Sequence, residues 1–151
     1  MEQNQRDKED NKTLPFLVAF LLCDMAIREE ETGKDTLVGI FDRVISKKFP
    51  IDQNMTIYFR LANVIGHYEF RIDYVQVRTD KILFQARFER DFPEIFSEYS
   101  FRLRPPMVPI PEPGQYEFRL WANGHYVGRR RFIAEKMQGR KVFYDTRSRR
   151  H

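Results

Sequence analysis

Between Phe16 and Phe132 the apolar residues of this chain return at every second position, in short runs separated by turn residues. Successive side chains of a strand point to opposite faces, so such alternation builds sheets with one face buried. Met55, Ile57, Phe59 and Leu61 share a face, as do Tyr68, Phe70 and Ile72. Ile82, Phe84, Ala86 and Phe88 form a third set, and Tyr99, Phe101 and Leu103 a fourth. Phe16–Arg28 and Thr36–Ile45 read as two further strands joined by a turn at Thr32-Gly33-Lys34. No helical period competes, and nothing alternates strand with helix. The pattern predicts an all-β protein: an antiparallel β-sandwich, immunoglobulin-like or C2-like, of about seven or eight strands.

The breaks are as informative as the runs. Pro50, the stretch from Asp91 to Phe96, and a connection holding five of the eight prolines between Arg104 and Gly114 all interrupt the alternation. Proline cannot donate to a ladder, so these read as turns or irregular segments. A strand is expected to end before Gly66, and Thr79-Asp80 marks a tight turn. After Ile72 the apolar phase slips to odd numbers at Val75 and Val77, which predicts a bulge near Tyr74.

The clearest element is the segment from Pro113 to Phe132, where Asn123-Gly124 sits between two alternating runs. Both positions of a two-residue hairpin turn require positive φ, which asparagine and glycine tolerate. The turn sets Ala122 opposite His125 and Trp121 opposite Tyr126. Tyr116, Phe118 and Leu120 then face inward, and Gln115, Glu117, Arg119 and Trp121 face outward. Val127 and Phe132 both reach the core only if the return strand bulges, with Gly128 the natural place. Arg129 and Arg131 thus fall on the outer face, and Arg130 shares the inward phase of Phe132. Elsewhere Arg60, Arg71, Arg87, Arg102 and Arg119 alternate with Glu69, Asp73, Glu89 and Glu117, a mixture suited to cross-strand ion pairs.

Charge divides the chain into three parts. Residues 1–13 hold four acidic and three basic residues and read as a flexible arm. The body, residues 14–134, is close to neutral. The tail, residues 135–151, holds six basic and two acidic residues. Leu14–Ile27 has the hydropathy of a signal-peptide core, but its acidic flank argues against a secretion signal and its length against a helical membrane span, so a buried strand is expected there. With a single cysteine, Cys23, no internal disulfide is possible, and a cytoplasmic location is expected.

No catalytic or cofactor motif stands out. Walker loop, dinucleotide fingerprint and nucleophile elbow are all absent. Cys23 lies in an apolar run and reads as a small core residue rather than a nucleophile. His67 and His125, with one cysteine, lack any metal-ligand spacing. Asp73, Asp80 and Asp91 each have a turn or ion-pair reading before a calcium one. No catalytic residue, cofactor or metal is therefore assigned, and the chain reads as a non-enzyme.

Three stretches carry a resemblance: Leu21–Pro50 with its Cys-Asp pair, Thr-Gly-Lys turn and Gly-Ile-Phe strand; Gly66–Val75; and Pro109–Phe132 with its Pro-Gly-x-Tyr-x-Phe hairpin. Together they resemble an uncharacterised bacterial domain-of-unknown-function family of small β-sandwich proteins, over about residues 14–134. The resemblance implies a bacterial cytoplasmic sandwich and carries no catalytic residues with it.

The expected function is protein interaction, or a structural role by self-assembly, with Trp121, Tyr126, Arg119, Arg129 and Arg131 as partner-binding residues and no role at a membrane. The alternative is a nucleic-acid or ribonucleoprotein accessory, in which Arg140, Lys141, Arg147, Arg149 and Arg150 of the tail contact phosphates. A hydrolase built on Cys23 and a histidine ranks third.

Overall fold

A computed structural model describes residues 14–138, except for the side chains of residues 95–97. The arm and the five basic residues proposed for the tail lie outside the described residues. The described chain is all strand: β1 (Phe16–Arg28), β2 (Asp35–Phe41), β3 (Arg43–Ser46), β4 (Ile51–Gln53) and β5 (Thr56–Gln76), then β6 (Lys81–Leu103), β7 (Val108–Ile110), β8 (Gly114–Ala122) and β9 (His125–Lys136).

β5 and β6 organise everything else. They pair antiparallel from Ile57↔Leu103 to Gln76↔Lys81. Along the other edge of β5, the first part takes β1 (Phe16↔Ala62 to Cys23↔Thr56) and the last part takes β8 (Phe70↔Ala122 to Gln76↔Tyr116). One continuous hairpin thus belongs to two layers, β2-β1-β5-β6 and β6-β5-β8-β9-β3, whose inner faces share a core. The expected sandwich-like architecture is present, with nine strands and one parallel pair, β3 with β9, in place of a wholly antiparallel set.

Several expected breaks are bends instead. β5 runs through Gly66 with a register shift between Val64 and Gly66, opposite the Phe92–Phe96 stretch of β6. Pro93 is tolerated there because β6 pairs on one side only. The strand expected over Thr36–Ile45 divides at Asp42, where the chain leaves the first layer and Ile133 N–H donates to the Asp42 carbonyl at 2.9 Å. The segment after Pro50 and the proline-rich connection each contribute a three-residue strand, β4 and β7, paired as a small second sheet. A second register shift falls at Tyr74/Val75, as the phase slip predicts. It sets Ile82 opposite outward-facing Val75, so Ile82 is exposed and Leu83 packs against the core in its place.

Aromatic rings from both layers fill the interior. Phe59 stacks on Phe101 at 4.6 Å between centroids, Phe101 meets Phe70 edge-on at 5.2 Å, and Phe118 stacks on Tyr74 at 4.8 Å. Each ring removed from water contributes about 1.5–3 kcal/mol, so this column supplies much of the favourable free energy. Its polar ends are satisfied: the Tyr74 hydroxyl donates to Pro109 O at 2.7 Å and Tyr116 to Glu112 O at 2.6 Å, tying the proline-rich connection down.

The Asn123-Gly124 hairpin forms as expected, with φ of 49° and 78°. Trp121 pairs with Tyr126 and Leu120 with Gly128, leaving Val127 as the extra residue of the bulge. Gly128 is also where β9 meets β1, since a Cβ added there would lie 2.3 Å from Leu17 Cδ2. Gly128→Ala is therefore expected to cost at the low end of overpacking, about 1 kcal/mol, since a leucine tip can shift aside. Because the obstacle is the tip of a leucine, Leu17→Ala in the same chain should make the glycine substitution nearly neutral. Urea unfolding of the two single variants and the double variant measures this non-additivity.

Candidate functional site

The register sorts side chains of the second layer into rows on its outer face. Arg87, Arg71, Trp121 and Tyr126 make one row, and Gln85, Asp73, Arg119 and Arg129 the next. Val75, Glu117 and Arg131 make a third. The five residues expected to bind a partner therefore lie together on one face.

Glu117 holds that face in place. Its side chain points outward as the pattern predicts, yet it is 1% exposed, because arginines cover it. Arg119 Nε donates to Oε1 at 2.6 Å and Arg131 Nε to Oε2 at 2.7 Å, with Arg129 3.8 Å away. Burial alone would raise the Glu117 pKa. Hydrogen bonds from Arg131 and Arg119, and their charges, more than offset this and hold it below the usual carboxylate range. Arg119 also donates to Asp80 at 2.9 Å, its several donors serving two acids at once. Asp73, equally buried, accepts from Gln85 at 2.9 Å and lies 3.1 Å from Arg71 Nε, near enough for ion pairing although off the hydrogen-bond axis.

The first layer repeats the device. Asp35, at the far end of the β1–β2 hairpin, accepts from Tyr58 Oη at 2.9 Å, Arg102 at 3.0 Å and Arg60 at 3.2 Å. β1 leaves β5 after Cys23, so these bonds require the hairpin to curl over the outer face and cover Tyr58 and Cys23. Again burial would raise the acid's pKa, and hydrogen bonds from Ser100 and Tyr58 with the Arg102 and Arg60 charges lower it.

Trp121 borders a groove of about 470 Å³ lined also by Glu69, Arg71, Arg87, Glu89 and Gly124. The Arg71 guanidinium lies over its ring, 4.7 Å from the centroid, and Tyr126 meets it edge-on at 5.4 Å. The indole N–H is buried and finds no acceptor among the described residues. Asn123 stitches the hairpin turn to β5 beside the groove: its backbone N–H donates to Glu69 O and its side-chain oxygen accepts from Glu69 N–H, both at 2.9 Å.

Beyond the groove, His67 Nδ1 lies 2.5 Å from Asp91 Oδ1 and Nε2 lies 3.7 Å from Glu89. Asp91's hydrogen bond, with further help from the charges of Glu89 and Glu69, raises the His67 pKa above its ordinary value. The ligand atoms of His67, Glu69 and Glu89 fall within 4.8 Å of one another, a set able to hold a divalent cation. Spacing alone could not reveal it, because Glu89 arrives opposite Glu69 only through the β5–β6 register. Asp73, Asp80 and Asp91 are not gathered: they pair with Arg71, Arg119 and His67 respectively.

Cys23 is fully buried, its thiol pKa pushed up first by burial and then by the Asp24 charge. That is the opposite of what a nucleophile needs. Asp35 is the residue that sequence reasoning did not name, while Glu117 was read only as a solvated ion-pair partner and Asn123 only as a turn residue. Glu117 had one visible signal, its place between two arginine-bearing strands.

Residues 18–135 match the model of a family of unknown function, DUF6941. The chain belongs to that family. The match spans β1 from its third residue through β9, so both outer faces of the DUF6941 sandwich, with Asp35 and Glu117, lie within it. No curated protein matches the chain.

Glu117 ionises more readily in the fold than in the unfolded chain. Its stabilisation is therefore complete at neutral pH and fades as pH falls through its depressed folded value. Glu117→Gln is expected to lose about 1–3 kcal/mol at pH 7, by leaving arginines without their acceptor. The gap to the parent should close on acidification below about pH 4, as followed by urea midpoints across pH. For His67 the expected NMR titration midpoint lies above that of a free histidine, and Asp91→Asn should move it down.

Proposed function

We propose that this DUF6941 protein is a non-enzymatic interaction module, which docks a protein partner on the outer face of its second layer. One observation carries the reading: Arg119, Arg129 and Arg131 converge on a single buried carboxylate beside the Trp121–Tyr126 pair. The acid fixes the guanidiniums without consuming their donors, so cationic groups remain facing solvent in a set geometry. Arginine and tryptophan held in a fixed geometry are the residues from which interface hot spots are most often built. The buried, unactivated thiol of Cys23 supports the non-enzymatic half of the reading. On this reading the protein works in the reducing cytoplasm of a bacterium, where its lone cysteine needs no partner.

The test is affinity capture from a lysate of the native cells with the full-length chain, with and without nuclease, beside Trp121→Ala and Arg119→Ala. Protein partners that survive nuclease and fall about tenfold with either substitution support the module, a loss typical of hot-spot truncation. Recovery of nucleic acid, unaffected by the two substitutions, would transfer function to the tail and its Arg140, Lys141, Arg147, Arg149 and Arg150.

A further inference from the structure

One strand edge of the second layer, at Arg129 and Arg131, meets no further strand among the described residues. β3 covers β9 only from Ile133 onward, with Arg43↔Ile133 the first pair. Ile133 N–H points away from β8, since it donates to Asp42 O. Strand residues alternate in the direction of their backbone groups, so the N–H and C=O of Arg131 and Arg129, two and four residues earlier, point the same way. No strand meets them among the described residues. The edge opens onto a hollow of about 320 Å³ lined by Asp42, Gln115 and the three arginines Arg129, Arg130 and Arg131.

Arg131 there is held by Glu117 at 2.7 Å, but its two neighbours are less well supplied with acceptors. Arg129 is 53% exposed and lies only at the margin of Glu117, 3.8 Å away. Arg130 turns inward opposite Phe118, and its Nε is buried with no acceptor among the described residues. Asp42 is the one acid lining the hollow.

We propose that this edge takes up an extended acidic segment of a partner protein as an added strand. The proposal rests on the interaction-module reading and specifies its partner. Main-chain bonds to Arg129 and Arg131 would supply register, and acidic residues two apart on the incoming strand would lie beside those two arginines on the outer face. The intervening residue falls on the inner side, beside Arg130. The expected signature in the partner is thus an extended run with carboxylates at alternate positions.

The probe is a dye-labelled seven-residue peptide of alternating valine and glutamate, titrated into the full-length protein by fluorescence anisotropy. It should bind, weaken roughly tenfold against Arg129→Glu as an attractive cross-strand contact becomes repulsive, and slow hydrogen exchange at the Arg129 and Arg131 amides. The same peptide with lysine for glutamate, or N-methylated at alternate residues, should not bind. These two peptides need no altered protein, so a folding defect in the variant cannot mask the answer. Absence of binding by the glutamate peptide, equal binding by the N-methylated one, or protection of amides elsewhere overturns the edge. So does protection of both arginine amides in the free chain, which would mean that another segment already occupies it. Lysate partners retained by Arg129→Glu while the peptide fails would retire the edge and leave the module standing. If the parent chain captures no protein, the module itself is retired.

Discussion

The long ladder between β5 and β6, continued through two register shifts, is the constraint from which the rest of the structure follows. A sandwich is usually held by side chains alone across the gap between its sheets. Here the two layers also share their longest hydrogen-bonded pair, from Ile57↔Leu103 to Gln76↔Lys81. The bend must therefore occur inside the hairpin. It coincides with the shift between Val64 and Gly66, where β6 carries the longer stretch and Pro93. β1 and β8 take successive parts of the same β5 edge, so their relative placement is set by backbone bonds rather than by packing preference. The aromatic column from Phe59 through Phe101 and Phe70 can then run from one layer into the other.

Each outer face solves one electrostatic problem by the same means. Arginines are numerous on these strands, and like charges directly opposite one another across a ladder repel. Arg119 faces Arg129, and Arg71 faces Arg87. Buried carboxylates turn such repulsion into a shared attraction: Glu117 among Arg119, Arg129 and Arg131, Asp73 beside Arg71, and Asp35 between Arg60 and Arg102 of the first layer. The acids remain ionised despite burial because several donors reach them at once. The guanidiniums lose freedom but keep donors, a state favourable for recognition because less order remains to be imposed on binding.

The hairpin shows how much of the candidate face was legible beforehand. Asn123-Gly124 set the turn, the pairing of Trp121 with Tyr126 followed from its length, and Gly128 marked the bulge that brings Phe132 inward. From these, the common face of Arg119, Arg129 and Arg131 follows by alternation. What stayed hidden was depth. Glu117 lies in an outward phase and would ordinarily be solvated, but its neighbours across two ladders bury it. The groove at Trp121 and the His67–Glu69–Glu89 group were hidden for a related reason, since each needs β6 in a particular register against β5.

The sequence by itself determined that the described chain is all strand, where the Asn123-Gly124 turn lies and which residues of most strands face the core, the start of β6 at Ile82 excepted. Turn chemistry and a period of two are local properties, legible within a few residues. Only the tertiary structure decided that β5 serves two layers, that the chain crosses between them at Asp42, and that Asp35 and Glu117 become the centres of arginine clusters. Among the described residues it also left the β9 edge at Arg129 and Arg131 without a neighbouring strand. These features depend on pairings between residues as much as ninety positions apart, such as Arg43 with Ile133. Alternation tells a strand which face to bury, but carries no information about which distant strand will lie beside it.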